Sequence, residues 1–260
     1  MHRRLLPVLA GVILTLPIPA LAQGAKSNPN EQYRVRVQYG RFASHIEGTA
    51  AQGVDGVPGT EFDLKQDLAM EDNKVWFVYG TIRIGAKWKL RGGYTSLEYN
   101  GTTTLAKRIR FSNTTFGTGE DVSSSINGGL GAADLEWDFV STGSAYLGVL
   151  AGARAPYVDT VLVSPDFGKR VQGSYKPVSP VIGLGGRAYA GRVSIEGFAT
   201  SFVRISGNRI TDLEVTTRVH FSSHLNISGG YRYISYSAQN DPDFADFKVT
   251  GWTYGLEFGL

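Results

Sequence analysis

The 260-residue sequence contains no cysteine, and after residue 22 it has no apolar run long enough for a transmembrane helix. Without cysteine, the chain cannot form a disulfide, carry a lipoprotein anchor or bind a metal through thiolates. A helical span would need about 18 or more consecutive apolar residues. We find no G-x-x-x-x-G-K phosphate loop, no metal-spaced histidines and no G-x-S-x-G motif, so we predict no catalytic, cofactor or metal site.

The chain also has little net charge. Its N-terminal segment has the features of an export signal. Arg3 and Arg4 precede an apolar run over residues 5–16, two prolines and the small-residue site at 20–22, which is the order of a secretory signal. We expect residues 1–22 to be a signal peptide cleaved after Ala22. Losing its two arginines lowers the formal charge from +3 to +1, so nothing indicates a nucleic-acid partner.

What the sequence does have is glycine, aromatic residues and an apolar residue at every second position. The 33 glycines, 13 tyrosines and 13 phenylalanines favour strands over helices. After a polar tether over 23–32, residues 33–260 alternate in segments separated by Gly, Asn, Asp, Ser and Pro. We predict ten strands, with eight as the alternative, near residues 33–46, 74–86, 88–103, 118–139, 144–163, 174–190, 192–206, 210–222, 224–238 and 246–260.

The alternation, the loop lengths and the aromatic positions together predict a transmembrane, antiparallel, up-and-down β-barrel. In the eighth segment Leu213 and Val215 alternate with Glu214 and Arg218, so one face is apolar and the other polar. Long connections at 47–73, 104–117 and 164–173 alternate with short ones at 86–88, 190–192 and 222–224, which is typical of outer-membrane barrels. Aromatic residues of the apolar face fall near strand ends, as interfacial girdles require; they include Tyr33, Trp76, Trp88, Trp137, Phe139, Tyr157, Phe221, Trp252 and Phe258.

On these features the chain resembles the small outer-membrane β-barrel proteins of Gram-negative bacteria, the porin-like and OmpA-like barrels. The last ten residues, GWTYGLEFGL, are similar to the C-terminal signal that the barrel-assembly machinery reads in that class, with Leu260 where the family more often has Phe. The resemblance implies a location in the cell outer membrane, surrounded by lipid and lipopolysaccharide. It also implies that the assembly machinery is a partner, recognised through Trp252, Tyr254, Leu256, Phe258 and Leu260.

The barrel prediction assigns the polar face of each strand to the lumen. Trp252, Tyr254, Leu256 and Phe258 should therefore face lipid, whereas Thr253 and Glu257 face inward, and Glu257→Gln should be mild. Both termini should lie in the periplasm because the strand number is even. A soluble barrel of the lipocalin type would instead place Arg218, Arg232 and Glu214 outside, with Val215 or Tyr231 in a central cavity.

Charged residues of both signs are predicted to meet inside the barrel. We expect them to pair and fill the lumen, because ten strands leave much less room than the 16 or more of the wide porins. The function that we predict is a structural or surface-binding role without enzymatic activity, with a narrow solute or ion channel as the alternative. The predicted lumen residues are Arg34, Arg36, Arg83, Asp134, Glu136, Arg154, Arg187, Glu196, Arg204, Glu214, Arg218, Arg232 and Glu257.

Two sets of residues keep an enzymatic alternative open. His220 and Ser222 resemble the His-x-Ser pair of the lipid A deacylases, which are also small barrels. His45 tops the first strand, and the loop before the last strand holds Asp241, Asp243 and Asp246; barrel proteases of the omptin type use aspartates with a histidine to activate water at that rim. The favoured interpretation of both sets is structural, as turn and loop residues.

The longest loop contains a mixed apolar and acidic stretch from Glu61 to Met70. We expect it to form a short helix or hairpin over the barrel mouth. Such a segment can act as a binding surface, because loops on rigid scaffolds often carry recognition. The favoured interpretation is a lid that packs on its own aromatic residues.

Overall fold

The computed structural model describes residues 33–54, 56–202, 209–240 and 243–260. The predicted signal peptide and tether lie outside these described residues. Within the described ranges no helix is long and apolar enough to cross a membrane. The described residues form fourteen strands: β1 (Val35–Ala51), β2 (Phe62–Asp63), β3 (Asn73–Ile84), β4 (Trp88–Thr104), β5 (Ile109–Phe111), β6 (Thr114–Phe116), β7 (Asp121–Ser141), β8 (Ala145–Ser164), β9 (Lys169–Tyr175), β10 (Ser179–Ala190), β11 (Val193–Phe202), β12 (Arg209–His220), β13 (Leu225–Asn240) and β14 (Asp243–Gly259).

Ten of these strands close into an antiparallel barrel, as predicted. Around the wall they follow the order β1, β3, β4, β7, β8, β10, β11, β12, β13 and β14. The last strand pairs with the first, with Arg36 opposite Gly259 and Ala51 opposite Phe244. On the far side β8 pairs with β10, with Ala145 opposite Ala188. Closure gives every barrel strand two neighbours, so no sheet edge is left with unpaired backbone N–H and C=O groups, for which lipid offers no hydrogen-bond partner.

The two ends of the barrel differ in the length of their connections. Short turns at 85–87, 142–144, 191–192 and 221–224 lie at one end, and Gly85 and Gly191 adopt the positive φ that such turns require. Arg34 donates its backbone N–H to Leu260 at this same end. The long connections 52–72, 105–120 and 165–178 lie at the other end, which we call the outer end. Short turns face the periplasm in outer-membrane barrels.

The region predicted as a loop at 164–173 is instead largely a strand, which corrects the sequence prediction. β9 pairs with the outer part of β8, from Val158 opposite Tyr175 to Ser164 opposite Lys169. The predicted sixth strand, 174–190, is therefore divided between the end of β9 and β10. The alternation of buried and exposed residues continues through residues 176–178, between the two strands. The sequence period alone therefore could not show where one strand ends and the next begins.

The outside of the barrel is apolar around the end with the short turns. Val215 is 58% exposed and Tyr231 44% exposed, whereas Arg218 and Arg232 are 2% and 1% exposed. In the last strand Trp252 is 67% exposed and Glu257 is fully buried. The predicted inside and outside are thus confirmed for these residues, and the soluble-barrel alternative is wrong. Trp88 and Trp137 pack at 6.3 Å between ring centroids near the short turns, as an interfacial girdle would.

The inside of the barrel has two zones stacked along its axis. Charged side chains fill the zone near the short turns, and a cluster of apolar side chains fills the outer zone. In β1 the inward side chains change from Arg36 and Gln38 to Phe42 and Ile46, while the outward ones change from Val37 and Tyr39 to His45 and Glu47. The outer third of the wall therefore has a water-facing exterior and an apolar interior, as in a soluble barrel.

Candidate functional site

Among the described residues, the charged zone holds seven cationic and seven anionic side chains in ion pairs. They come from nine of the ten barrel strands, so the pairs run across the lumen as well as along its wall. Its net formal charge is zero. The members are Arg36, Lys89, Arg91, Arg154, Arg187, Arg218 and Arg232, with Asp134, Glu136, Asp138, Glu196, Asp212, Glu214 and Glu257.

Glu196 on β11 lies at the centre of the network. Its carboxylate is 2.6 Å from Arg218, 3.0 Å from Arg187 and 3.4 Å from Arg36. It also accepts a hydrogen bond of 2.9 Å from the Tyr146 hydroxyl. The contact with Arg36 joins β11 to β1, four strands away around a ring of ten, so it crosses the interior.

Glu257 on the last strand shares two of these arginines. Its carboxylate lies 2.7 Å from Arg218 and 3.5 Å from Arg36, and accepts a hydrogen bond of 3.0 Å from Asn226. The arginines therefore lie between two carboxylates. Removing the charge of either glutamate leaves buried guanidinium groups with too few anions, which is costly in a low dielectric.

A second cluster lies on the outer side of the first. Asp212 receives Arg232 at 2.8 Å and Arg154 at 3.3 Å, and Arg154 also contacts Asp134 at 2.7 Å. Arg232 donates in addition to the Thr95 hydroxyl at 2.7 Å across the lumen. This layer lies next to the apolar zone.

A third cluster ties β4 to β7 beside the short turns. Lys89 lies 3.2 Å from Glu136 and 2.9 Å from Asp138, and Arg91 contacts Glu136 at 2.9 Å. The cavity remaining between the three clusters measures about 40 Å³, which is space for a few water molecules.

Ten of the thirteen predicted lumen residues are buried in this zone. Arg34 is exposed and Arg83 half-buried, because both lie at the end with the short turns, where the lumen meets water; Arg204 lies outside the described residues. Sequence reasoning missed Lys89, Arg91, Asp138 and Asp212. These residues occupy the alternate, polar positions of β4, β7 and β12 that point into the lumen, and this placement could have identified them from the sequence.

The predicted pair of His220 and Ser222 does not form. His220 Nε2 lies 2.9 Å from Ser194 Oγ, and its Nδ1 lies 2.7 Å from Asn226 Oδ1. Ser222 instead accepts hydrogen bonds from the backbone N–H groups of His224 and Leu225. The serine that the histidine does contact, Ser194, is 1% exposed, so water and substrate do not reach its hydroxyl.

The predicted acidic partners of His45 are not its neighbours either. Its Nδ1 lies 2.9 Å from both carboxylate oxygens of Asp72, on the outside of the wall. Asp246 pairs with Thr49, four residues along the strand from His45, a separation of about 13 Å. Asp243 accepts the backbone N–H of Gly53 at 2.9 Å, and Asp241 lies outside the described residues.

Asp72 is held ionised by its neighbours at this outer rim. Partial burial acts to raise its pKa, but hydrogen bonds from Lys65 and His45 outweigh it and lower the pKa of Asp72 below its usual range. An ionised aspartate that is already bound to two donors is placed to anchor the loop. A catalytic base would need to reach a water molecule in a groove.

The stretch from Glu61 to Met70 packs into the barrel instead of lying over it. Phe62, Leu64, Leu68 and Met70 are all buried in the apolar zone. The segment forms the short strand β2, which pairs with β1, followed by turns. It is a plug built from the longest loop, which corrects the predicted short helix or hairpin lying over the mouth.

An apolar cavity of about 140 Å³ remains inside this outer zone. Phe62, Tyr99, Tyr236 and Val249 line it and are nearly inaccessible from outside. The Tyr236 hydroxyl donates to that of Tyr175 at 2.5 Å, and their rings pack edge to face at 5.7 Å. No group of three or more potential metal ligands occurs in the described part of the chain.

A closed ten-stranded wall, an apolar exterior and a charged interior are the features of the outer-membrane β-barrel proteins, and the predicted class, fold and setting agree with them. No protein-family model matches the sequence, and no curated protein matches it. Among solved structures the chain is similar to the outer membrane protease OmpT from Escherichia coli, with a TM-score of 0.58, 8% identity and coverage of 87% of this chain and 96% of that one. The translocator domain of the autotransporter NalP from Neisseria meningitidis gives a TM-score of 0.41 at 13% identity, covering 90% and 91%. Ail of Yersinia pestis, in complex with the heparin analogue sucrose octasulfate, gives 0.40 at 10%, covering 87% and 99%.

Proposed function

We propose that this protein is a non-enzymatic outer-membrane barrel with a structural and surface-binding role, in which the outer zone binds and the charged zone closes the lumen. The observation that carries the proposal is the network around Glu196 and Asp212, whose pairs cross the barrel in successive layers. A barrel that is closed below can still present a binding site above.

Several features support a closed barrel over the alternative of a narrow channel. The charged zone retains only about 40 Å³ of cavity, and its arginines are each engaged by carboxylates. Opening a path would separate buried ion pairs, and removing one partner of such a pair costs about 3 to 5 kcal/mol. A conducting state would have to break several of them together.

The positions of the histidines support a non-enzymatic role. His220 contacts a buried serine at the end with the short turns, and His45 is bound to Asp72 on the outer wall. The serine beside His220 is buried, and His45 is bound to an aspartate, so neither histidine is placed as a base beside an accessible nucleophile. The likeness to OmpT is a likeness of fold, and protease activity does not follow from it.

The exposed apolar belt supports lipid as the surrounding medium, and lipopolysaccharide as the lipid that the outer rim meets. Trp252, Tyr254, Leu256, Phe258 and Leu260 are exposed. Their recognition by the barrel-assembly machinery stays a prediction.

Planar-bilayer recording of the purified, refolded protein tests the closed lumen. We expect no stable unit currents at moderate voltage, with insertion checked separately by heat-modifiable mobility on cold SDS gels. Uniform, long-lived current steps in the inserted protein would establish the channel alternative. Incubation with lipid A and with peptide substrates should leave both unchanged, and turnover that is lost in His45→Ala or His220→Ala would establish an enzyme.

A further inference from the structure

We propose that the apolar cavity in the outer zone is a binding site for one small, neutral hydrocarbon molecule of about the size of a single aromatic ring. The proposal rests on the binding role assigned above to the outer zone. It adds the place and the chemical class of the ligand.

The walls of the cavity come from well-separated parts of the chain. β1 contributes Ile46, β2 contributes Phe62, β4 contributes Tyr99, and β13 and β14 contribute Tyr236 and Val249. All five side chains are at most 3% exposed. These five elements thus enclose a space that none of them fills, although interiors are normally packed without voids larger than a water molecule.

The size of the cavity selects the ligand. At about 140 Å³ it is close to the roughly 150 Å³ of an engineered cavity lined by Leu, Ile and Phe, which stays dry and binds benzene. A lipid with several acyl chains is too large for it. A cavity with a mostly apolar lining favours apolar ligands because their surface is removed from water on binding.

Charge argues for a neutral ligand. Asp243 is the charged residue in the lining, and no Lys, Arg or His is found there among the described residues. A carboxylate ligand would meet Asp243 without a cation to balance it, and a buried cation would lose its hydration among aromatic walls. Asp243 is itself occupied by the Gly53 N–H.

The cavity is closed below and on one side. Beneath it, Arg232 spans the lumen to Thr95, so a ligand that enters does not continue through the barrel. On the side, Tyr175 of β9 and Tyr236 of β13 join through their hydroxyls, although these strands are not paired with each other. The site is a blind one, which fits binding and not passage.

Photolabelling tests the site in the intact protein in lipid vesicles, with 3-phenyl-3-(trifluoromethyl)diazirine as the apolar probe. Labelled peptides are mapped by mass spectrometry with and without excess benzene. Lipid-facing residues such as Trp252 serve as the internal reference, because their labelling reports only the concentration of the probe in the bilayer. We expect labelling at Phe62 and Tyr236 that benzene suppresses, and labelling at Trp252 that it leaves unchanged.

A filling variant separates the cavity from the lipid surface. Ala238 is buried in the lining, so Ala238→Phe should remove the suppressible labelling, whereas the matched change Ala151→Phe on the exposed face of β8 should not. Ala50→Leu provides a second filling variant if Ala238→Phe fails the heat-modifiability test. Labelling of Phe62 and Tyr236 that is absent, that benzene does not suppress, or that persists in a folded filling variant would overturn the site. Such a result would leave the conductance result for the closed lumen unaffected.

Discussion

Glu196→Gln should be among the most destabilising single changes in this barrel. The change keeps the shape of the side chain and removes its charge. Arg218, Arg187 and Arg36 would then share one fewer carboxylate in a zone where all of them are buried. Water cannot enter in quantity to solvate them, because the cavity between the clusters measures about 40 Å³.

The expected loss in the free energy of unfolding is about 3 to 5 kcal/mol, the cost of removing one partner of a buried ion pair. A matched control is Glu47→Gln on the outer wall. Glu47 is 52% exposed at its side chain, and Lys248 lies 3.7 Å away. An exposed pair of this kind contributes about 0 to 1 kcal/mol.

Equilibrium urea unfolding of the protein refolded into phospholipid vesicles, followed by tryptophan fluorescence, gives both values. The double variant Glu196→Gln/Arg218→Met adds a sharper test, because it removes a cation together with the anion. It should be less destabilised than the sum of the two single variants, as expected for residues in one network. A loss for Glu196→Gln no greater than for Glu47→Gln, or strict additivity in the double variant, would refute the reasoning.

Three further predictions concern the wall, the outer hairpin and the tyrosine pair. Leu256→Arg should lower the folded fraction on cold SDS gels, since a cation facing mid-bilayer lipid costs about 2 to 4 kcal/mol; wild-type folding would contradict this. Burial raises the pKa of Glu120, but hydrogen bonds from Lys169 and the Gly117 backbone outweigh burial and hold that pKa below 4.5. The stability that these hydrogen bonds give to the outer hairpin is therefore fully present above about pH 4.5 and is lost on acidification below it. Below about pH 4.5, the hydrogen-exchange protection of residues 105–120 should decrease in the wild-type protein. In Glu120→Gln the same acidification should leave this protection unchanged. Tyr236→Phe removes a hydrogen bond of about 1 kcal/mol and should speed exchange in β9 without changing the fold.

The structure reverses one expectation from the sequence, that Glu257→Gln would be mild. That expectation treated the lumen as a polar medium in which a lost charge is replaced by water. Glu257 is instead fully buried between Arg218 and Arg36. Its neutralisation should therefore resemble that of Glu196, and comparable unfolding curves for the two glutamine variants would show it.

The ten barrel strands were predictable because their alternation has a period of two and their turns carry Gly, Asn, Asp and Ser. The same alternation placed Trp252 outside and Glu257 inside, as the structure has them. The outer zone was not predicted, although β1 holds a signal for it. In the first part of β1 the apolar side chains, Val37 and Tyr39, point outward, whereas further along the strand the apolar side chains, Phe42 and Ile46, point inward. The position of this change marks the level at which the outside of the wall becomes polar.

The partners of the candidate site residues were not predicted correctly, because a site depends on which side chains come into contact in the folded chain. His220 and Ser222 share a face in sequence, but the turn bends Ser222 away and β11 brings Ser194 to the histidine. Similarly, Asp72 reaches His45 through the pairing of β1 with β3. Residues brought together by strand order and register are not visible in the local pattern.

The sequence by itself determined the ten barrel strands, the barrel class and which side chains point inward around the charged zone, because these follow from local periodicity and from the solvent on each side of one strand. Only the tertiary structure decided that seven cationic and seven anionic side chains of the described residues meet in ion pairs inside the barrel. It also decided that the longest loop fills the outer zone and leaves an apolar cavity there. Both outcomes depend on distances between side chains on strands far apart in the chain, which closure of the barrel sets and local sequence does not encode.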